Sequence, residues 1–209
     1  MLRMDEEVTE DLRGPEESAL LNAITHLIDT HSPAALIFED YNKGVLTETV
    51  ITKVIELSKA RGIITTVDPK RRNFFAYEGV SLFKPNMKEL KEGLNLAHLN
   101  PTPADLDNAF EALKKKMVVE SALFTLSSDG VYITGDNSSH LVEAIKRNIS
   151  DVSGAGDTVI ATATCALASG LNLEETAFLA NLAGGWVCQF PGVVPITKDA
   201  LKTETDKIL

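Results

Sequence analysis

The sequence predicts an α/β domain with a mostly parallel central sheet, and three observations lead to that fold class. Short apolar or β-branched runs alternate with longer stretches at helical spacing, the order expected for parallel strands joined by crossover helices. The length of 209 residues fits one domain with a sizeable core. Hydrophobic residues make up 44% of the chain and charged residues 24%, the balance of a globular protein. We therefore expect a single domain over residues 1–209.

The first half of the chain is predicted to contain two long helices, a short one and three strands. Apolar residues at helical spacing predict a helix from Pro15 to Thr30, and proline suits its first turn. Thr47 is a good N-cap for the second helix, which Gly62 ends. A short helix capped by Asn86 comes last. The strand predictions are apolar or β-branched runs: Ala34–Glu39, Ile63–Val67 and Val80–Phe83.

The second half is predicted to begin with a helix and to continue through a hairpin into three more helices. Thr102 caps the first of these helices, and Pro103 occupies its first position. Asp129-Gly130 is a turn signal between two apolar runs. The predicted strands are Ala122–Leu126, Val131–Thr134 and His140–Ala144. The predicted helices are Ala155–Ser169, Glu174–Gln189 and Lys198–Ile208.

Four polar residues follow the predicted strands, and they mark the expected position of a ligand site. Ligands of open α/β sheets bind outside the carboxyl ends of the strands. For Asp68, which precedes Pro69, the favoured interpretation is that its carboxylate satisfies backbone groups. The four residues are Asp40, Asp68, Asn86 and Ser127.

The charge and the polarity of the chain exclude several classes of partner. The formal net charge is -10, which argues against nucleic acid because phosphate backbones attract a surplus of Lys and Arg. A phosphorylated small molecule is still compatible, since a local site can be positive on a negative protein. No apolar run approaches the roughly 20 residues that cross a bilayer, and the acidic start lacks a signal peptide. We expect a cytoplasmic protein without a membrane partner.

Cysteine and histidine usage gives no indication of a metal site. Cys165 and Cys188 lie in apolar helical stretches, and we interpret both as buried, reduced thiols. The four histidines are scattered without the spacing of zinc ligands.

The most informative segment is DVSGAGDT, residues 151–158, directly before an apolar helix. Gly154 and Gly156 allow a tight turn that exposes consecutive N–H groups, and the helix N-terminus adds partial positive charge. These features predict a phosphate site. Asp157 would repel phosphate, so it needs another role: a base that takes a proton from an attacking hydroxyl, or an N-cap of the helix. The segment alone leaves both interpretations open.

Further motifs occur in an order and spacing that resemble one protein family. The segment GAGD before a small-residue helix resembles the C-terminal signature of the ribokinase-like (PfkB) carbohydrate kinases. Within that family the chain is most similar to the heptose 7-phosphate kinase branch, including the kinase half of a bifunctional heptose kinase and adenylyltransferase. The motifs that carry the resemblance are LRMDEE (2–7), DYNKG (40–44), VDPK (67–70), KPNMKE (84–89) and LANLAGG (179–185).

The resemblance implies a role for the residues around the phosphates. It implies that Asp157 is the catalytic base and that Gly154, Ala155 and Gly156 form the anion hole for the developing phosphoryl charge. It also implies that the N-x-x-E motif supports the phosphates and a hydrated Mg²⁺. That motif matches Asn86 and Glu89, with Glu89 acting on the metal through water, while Asn86 alone also fits a plain N-cap.

The resemblance further implies residues for the nucleotide and for the sugar. Ser127, Gly130 and Asn181 are the candidates for the nucleotide base, although SSDG departs from the usual loop and Ser127 also fits simple turn chemistry. Asp40 and Lys43 are the candidates for the sugar or its 7-phosphate, with Lys43 as a point charge. A solvated loop is the alternative for both.

The resemblance implies a three-layer ribokinase-like (Rossmann-like) fold with its N-terminal part and β lid missing. Such domains run to roughly 300 residues, near the upper size of a single core. The absent part normally supplies the first strands and a lid over the sugar, so we expect an exposed sheet edge. Relatives often dimerise through the lid, and a homodimer is compatible with this.

The resemblance thus implies an ATP- and Mg²⁺-dependent kinase of D-glycero-D-manno-heptose 7-phosphate. One alternative is a kinase of another sugar, such as ribose or fructose, which DYNKG and VDPK oppose. Another is a catalytically impaired nucleotide-binding fragment, which the intact GAGD opposes. A dinucleotide-binding oxidoreductase lacks its G-x-G-x-x-G after the first strand and is set aside.

Overall fold

Six strands form one sheet in the order β1-β2-β3-β4-β5-β6 in a computed structural model that describes residues 7, 9–135 and 138–208. Strands β1 to β4 pair in parallel, and β5 and β6 continue the sheet in antiparallel pairing. The predicted, mostly parallel sheet is therefore confirmed. The strands are β1 Ala35–Glu39, β2 Ile64–Asp68, β3 Leu82–Phe83, β4 Ser121–Thr125, β5 Val131–Gly135 and β6 Ser139–Val142.

Seven α-helices are present in the described part of the chain, each within a few residues of its prediction. The LRMDEE motif lies outside the described residues except for Glu7. In that described part no helix combines the length and the apolar character that crossing a membrane requires. The helices are α1 Pro15–His31, α2 Glu48–Ala60, α3 Met87–Leu94, α4 Pro103–Lys114, α5 Ala155–Ala168, α6 Leu173–Val187 and α7 Lys198–Asp206.

Capping side chains explain where several of these helices begin. The hydroxyl of Thr47 accepts from the N–H of Val50 at 3.1 Å, as predicted for the start of α2. A capping box opens α3, in which Asn86 and Glu89 satisfy each other's backbone N–H groups at 2.9 Å. These contacts fix the residues that follow β1 and β3 at one end of the sheet.

Side chains of the central strands alternate between two apolar layers, which makes the fold a three-layer α/β sandwich. Phe83, Ala122 and Phe124 pack with helices α2, α3 and α4. Leu82 and Leu123 point to the opposite face and pack with α5 and α6. Strand β1 lies at one edge and pairs only with β2 among the described strands, and its residues are half-buried or buried.

Helices α5 and α6 approach each other closely at a glycine. A Cβ atom on Gly184 of α6 would lie 2.5 Å from Cγ2 of Val159 and 3.7 Å from the carbonyl oxygen of Ala155, both on α5. Glycine is therefore required at this contact, because a side chain would separate the helices.

The prediction that both cysteines are buried was correct for one of them and wrong for the other. Cys188 is buried, as predicted, but Cys165 is exposed. Helix α5 buries only one face, which carries Ile160 and Ala163, and Cys165 lies on the other. An Ala-rich helix with a small hydrophobic contrast does not show which face is covered.

Replacing Gly130 by alanine is expected to destabilise the fold by about 3 kcal/mol. Gly130 has φ 99° and ψ -134°, a conformation that residues with a Cβ avoid. The new Cβ would lie 2.1 Å from the carbonyl oxygen of Val142, so the strain adds to overpacking. Urea unfolding measures the loss.

Gly170→Ala is the matched control for that substitution. Gly170 also has a positive φ, of 81°, but a Cβ there meets no atom within 4 Å. We expect a cost of about 1 kcal/mol from the backbone alone. Equal losses at the two positions would show that the contact with β6 does not matter.

Candidate active site

The carboxyl ends of β1, β2 and β3 bring charged side chains together at one edge of the sheet. Glu39 and Asp68 are register partners at the ends of β1 and β2, and Lys84 follows β3 directly. Nζ of Lys84 lies 3.1 Å from Oδ2 of Asp68. Lys84 is only 2% exposed and Asp68 7%, so this ion pair is nearly excluded from water.

A second lysine connects this pair to helix α3. Nζ of Lys70 donates to Oδ1 of Asp68 at 3.0 Å and to Oε1 of Glu89 at 2.8 Å. Burial lowers the pKa of Lys70, but its hydrogen bond to Glu89 and the charge of Asp68 outweigh this and raise it. Asp68 therefore lies between two lysines, and the interpretation that it satisfies backbone groups before Pro69 was wrong.

The N-terminus of α5 lies directly over this charged layer. Gly154 is the N-cap, with φ 76°, and no side chain caps the helix. A Cβ on Gly156 would lie 3.7 Å from Nζ of Lys84 and 3.8 Å from Oδ2 of Asp68. The first turn of α5 and a buried ammonium group thus face the same space, and both favour an anion.

Asp157 is an exposed residue in the first turn of α5. It is the third residue of the helix rather than its N-cap, so the interpretation of Asp157 as the capping residue was wrong. Carboxylate oxygens of Asp157, Glu39 and Asp68 all lie within 4.8 Å of one another. Asp157 is therefore open to solvent beside the sheet edge, as a base that meets a substrate hydroxyl must be.

The negative charges change the ionisation of two groups, one at the end of β1 and one in the loop after it. Burial, and then the charges of Asp68 and Asp157, raise the pKa of Glu39 to about 7. The charge of Asp157 also raises the pKa of Tyr41, whose side chain is exposed. The charge of Asp157 therefore acts on Glu39 at the end of β1 and on Tyr41 in the loop after it.

The loop before α5 is fixed by one aspartate. Oδ1 of Asp151 accepts from the N–H and the hydroxyl of Ser153 at 2.9 and 2.8 Å, and Oδ2 accepts from the N–H of Gly192 at 3.0 Å. The hydrogen bond from the Ser153 N–H is the main cause that lowers the pKa of Asp151. The N–H of Ala155 donates to the carbonyl of Val152 at 3.2 Å, while those of Gly156 and Asp157 belong to the turn that has no intrahelical acceptors.

The DYNKG loop is held from inside by Asp40. This residue is 3% exposed, and its oxygens accept from the N–H of Asn42 at 2.8 Å, the hydroxyl of Tyr77 at 2.8 Å and Nδ2 of Asn73 at 3.2 Å. Lys43 lies at the surface, 2.5 Å from Oε1 of Glu7. Contacts of Asp40 and Lys43 with a sugar stay a prediction.

The residues predicted for the nucleotide lie around the segment after β6. Nδ2 of Asn181 donates to the carbonyl of Glu143 at 2.9 Å, and Gly130 packs against the same segment. Ser127 begins a 3₁₀ turn with φ 59°, which fits the turn chemistry considered from sequence. Their nucleotide contacts also stay a prediction.

Three residues of this site were not predicted from the sequence: Glu39, Tyr41 and Lys84. Glu39 is the last residue of β1, and only the residues after the strands were considered. Lys84 lay within the quoted KPNMKE motif, but lysines are almost never fully buried unless paired, and the motif does not show that Asp68 is its partner. Period-2 alternation from Glu39 also predicts that Tyr41 points to the same side.

A helix N-terminus over the carboxyl edge of an α/β sheet, with a buried lysine beneath it, suits an anion such as a phosphate. Residues 18–199 match the model of the pfkB family carbohydrate kinases. The chain belongs to that family.

Curated relatives are similar over nearly the whole chain. The bifunctional protein HldE of Methylobacillus flagellatus is 39% identical over 207 residues, which are 98% of this chain and 41% of that protein. HldE of Aliarcobacter butzleri is 33% identical over 96% of this chain and 41% of that protein. The chain thus spans about two fifths of the length of these relatives.

Solved structures show the same ribokinase-like fold. Phosphofructokinase-2 from Escherichia coli, in a complex with potassium, superimposes with a TM-score of 0.81 at 21% identity over 95% of this chain and 63% of that one. Arabidopsis thaliana ribokinase, complexed with ribose and ATP, gives 0.72 at 18% identity over 89% and 58%. The three-layer fold predicted from the motifs is confirmed.

Proposed function

We propose that this chain transfers the γ-phosphoryl group of ATP to the anomeric hydroxyl of D-glycero-D-manno-heptose 7-phosphate. The observation that carries the proposal is the exposed carboxylate of Asp157, in the first turn of α5 and within 4.8 Å of the carboxylates that end β1 and β2. The heptose is proposed from the DYNKG and VDPK motifs, and the similarity to the HldE proteins supports it.

In this mechanism Asp157 accepts the proton of the attacking hydroxyl as the phosphoryl group is transferred. The N–H groups of the first turn of α5, in the predicted anion hole Gly154–Gly156, stabilise the charge that develops on the phosphoryl oxygens. The ammonium group of Lys84 adds a positive charge beneath the same turn. Its ion pair with Asp68 keeps this charge in place without a water molecule between them.

The residues around Glu89 fit a hydrated magnesium ion. Both oxygens of Glu89 already accept hydrogen bonds, from Lys70 at 2.8 Å and from the N–H of Asn86 at 2.9 Å. A carboxylate held in this way can still accept from a water on the ion, which suits Mg²⁺ because it keeps several waters. Bound Mg²⁺ would neutralise phosphate charge. Asn86 would direct its amide group to a phosphate oxygen.

The proposed binding roles at the periphery follow from position and charge. Lys43 can exchange its exposed ion pair with Glu7 for the 7-phosphate at little cost, since surface pairs contribute little stability. Asp40 keeps the loop that carries Lys43 in shape. Ser127, Gly130 and Asn181 would line the nucleotide side.

Phosphoryl transfer from ATP by the 209-residue chain tests the proposal directly. We expect sugar 1,7-bisphosphate with heptose 7-phosphate and Mg²⁺, and a loss of product when EDTA removes the metal, because the phosphate charge is then uncompensated. Ribose and fructose 6-phosphate in parallel reactions test the sugar. Faster transfer to either would replace the heptose, and ATP binding without any transfer would contradict the catalytic proposal.

A further inference from the structure

Lys70 is the most exposed of the four side chains that the ion pairs at the sheet edge link together. Its ammonium group donates to Oδ1 of Asp68 at 3.0 Å and to Oε1 of Glu89 at 2.8 Å. The side chain of Lys70 is 31% exposed, against 3% for Lys84, 9% for Asp68 and 14% for Glu89. This lysine therefore joins a buried layer of charges to the solvent.

One N–H of the Lys70 ammonium group is left for a ligand. A lysine has three N–H donors and no acceptor, and within the described residues Lys70 has only Asp68 and Glu89 as partners. Its pKa is raised overall, so the group carries its positive charge at neutral pH. A charged donor that two carboxylates hold in place, and that is partly exposed, suits an anionic oxygen.

Lys70 and the proposed base act on the same two neighbours. Burial is the main cause that raises the pKa of Glu39, and among the charges Asp157 raises it further while Lys70 lowers it. For Tyr41 the charge of Asp157 is the main cause of the raised pKa, and Lys70 opposes it. Lys70 and Asp157 therefore border the same space beside the ends of β1 and β2.

This position favours the transferred phosphoryl group over the phosphate of the sugar. The γ-phosphoryl group must meet the anomeric hydroxyl that Asp157 deprotonates, whereas the 7-phosphate lies at the other end of the sugar. Glu89, which holds Lys70, also belongs to the motif proposed for the phosphates of ATP. Both relations favour a γ-phosphoryl oxygen as the acceptor of the remaining N–H.

We infer that Lys70 is a further phosphate-binding residue, which donates its third N–H to an oxygen of the γ-phosphoryl group of ATP. This inference rests on the proposed function and adds a second lysine to it. Lys84 holds Oδ2 of Asp68 from within the fold, and Lys70 holds Oδ1 from the more exposed side. The two ammonium groups would then share the charge of the phosphoryl group.

The test is calorimetric binding of ATP, ADP and AMP, each with Mg²⁺ in excess and without sugar, so no turnover is needed. Lys70→Gln keeps a donor for the carboxylates but removes the charge. We expect it to bind ATP about tenfold more weakly, with a change of no more than about twofold for ADP and AMP. Lys70→Arg keeps the charge and should recover most of the loss.

Two controls accompany this comparison. Lys53→Gln makes the same change at an exposed position of α2 and should bind all three nucleotides like the wild type. AMP affinity checks the fold of Lys70→Gln, since a damaged nucleotide site would lose AMP as well as ATP. Loss of all three nucleotides would therefore contradict a contact with the γ-phosphoryl group.

A double-mutant cycle with Glu89→Gln separates a direct contact from a positioning role. If Lys70 touches the phosphate, Lys70→Gln still weakens ATP binding in the Glu89→Gln background. If Lys70 acts only by holding Glu89, this further loss disappears, and the inference is overturned.

Equal losses for ATP and ADP, no loss for ATP, or a loss for heptose 7-phosphate in place of ATP would also overturn the inference. A wild type that binds no ATP would do the same. Failure of the proposed function is a different result: Lys70 contributes to ATP binding, but the chain transfers no phosphate to the sugar.

Discussion

Asp157→Asn should lower kcat for phosphoryl transfer by about 10²–10⁴-fold, because general-base catalysis contributes that much. The amide has the shape of the carboxylate but cannot take the proton of the attacking hydroxyl. Asp157 is exposed and does not cap α5, so the fold should be unaffected. ATP should bind at least as tightly, since a negative charge next to the phosphates is removed. Coupled-assay kinetics and calorimetry measure the two effects.

Asp199→Asn is the matched control for that variant. Asp199 also lies exposed in the first turn of a helix, α7. It is not one of the charged residues at the sheet edge. Its kinetics should match the wild type. If Asp157→Asn keeps most of its kcat, Asp157 is not the base, and the proposed mechanism fails even if the chain binds ATP.

Lys84→Met should lower the free energy of unfolding by about 3 kcal/mol, the typical loss when one partner of a buried ion pair is removed. Lys84 and Asp68 have side chains that are 3% and 9% exposed, so water cannot replace the lost ammonium group. Lys70 remains on the other oxygen of Asp68 and limits the loss. Urea unfolding followed by circular dichroism gives the value.

Lys88→Met is the matched control and makes the same change at an exposed lysine, at the start of α3. Its ion pair with Glu92 spans 4.0 Å, and the lysine side chain is 81% exposed. We expect a loss of no more than about 0.5 kcal/mol. A similarly small loss for Lys84→Met would mean that the Asp68 pair does not behave as a buried one. Adding Asp68→Asn to Lys84→Met should restore part of the stability, since the buried carboxylate that lost Lys84 is then neutral and Lys70 keeps its ion pair with Glu89.

The periodicity of the sequence was sufficient to predict the helices and strands and a mostly parallel sheet. β-branched and apolar runs predicted all six strands to within a few residues, and Thr47 and Asn86 predicted their helix starts because a side-chain cap is a local interaction. The length of β3 was overestimated: only Leu82 and Phe83 pair. Strand ends depend on which neighbour supplies the next hydrogen bond, and a single segment does not contain that information.

The site was predictable where one continuous segment forms it and not where several segments meet. Residues 154–157 supply the helix N-terminus and the exposed acid together, so the motif alone indicated them. The pairing of Lys84 with Asp68, and the approach of Glu39 to Asp157, join residues from four separate elements. Asp40 was proposed for the sugar because it follows a strand, yet three donors from its own neighbourhood surround it.

The close contact at Gly184 links the proposed base to the proposed nucleotide side of the site. Gly184 lets α6 touch the first turns of α5, the same turns that hold the proposed base, while Asn181 lies three residues earlier on α6. The proposed base and the proposed nucleotide contact therefore lie on one closely packed pair of helices. The separation between these two residues is thereby fixed by the packing of α5 against α6.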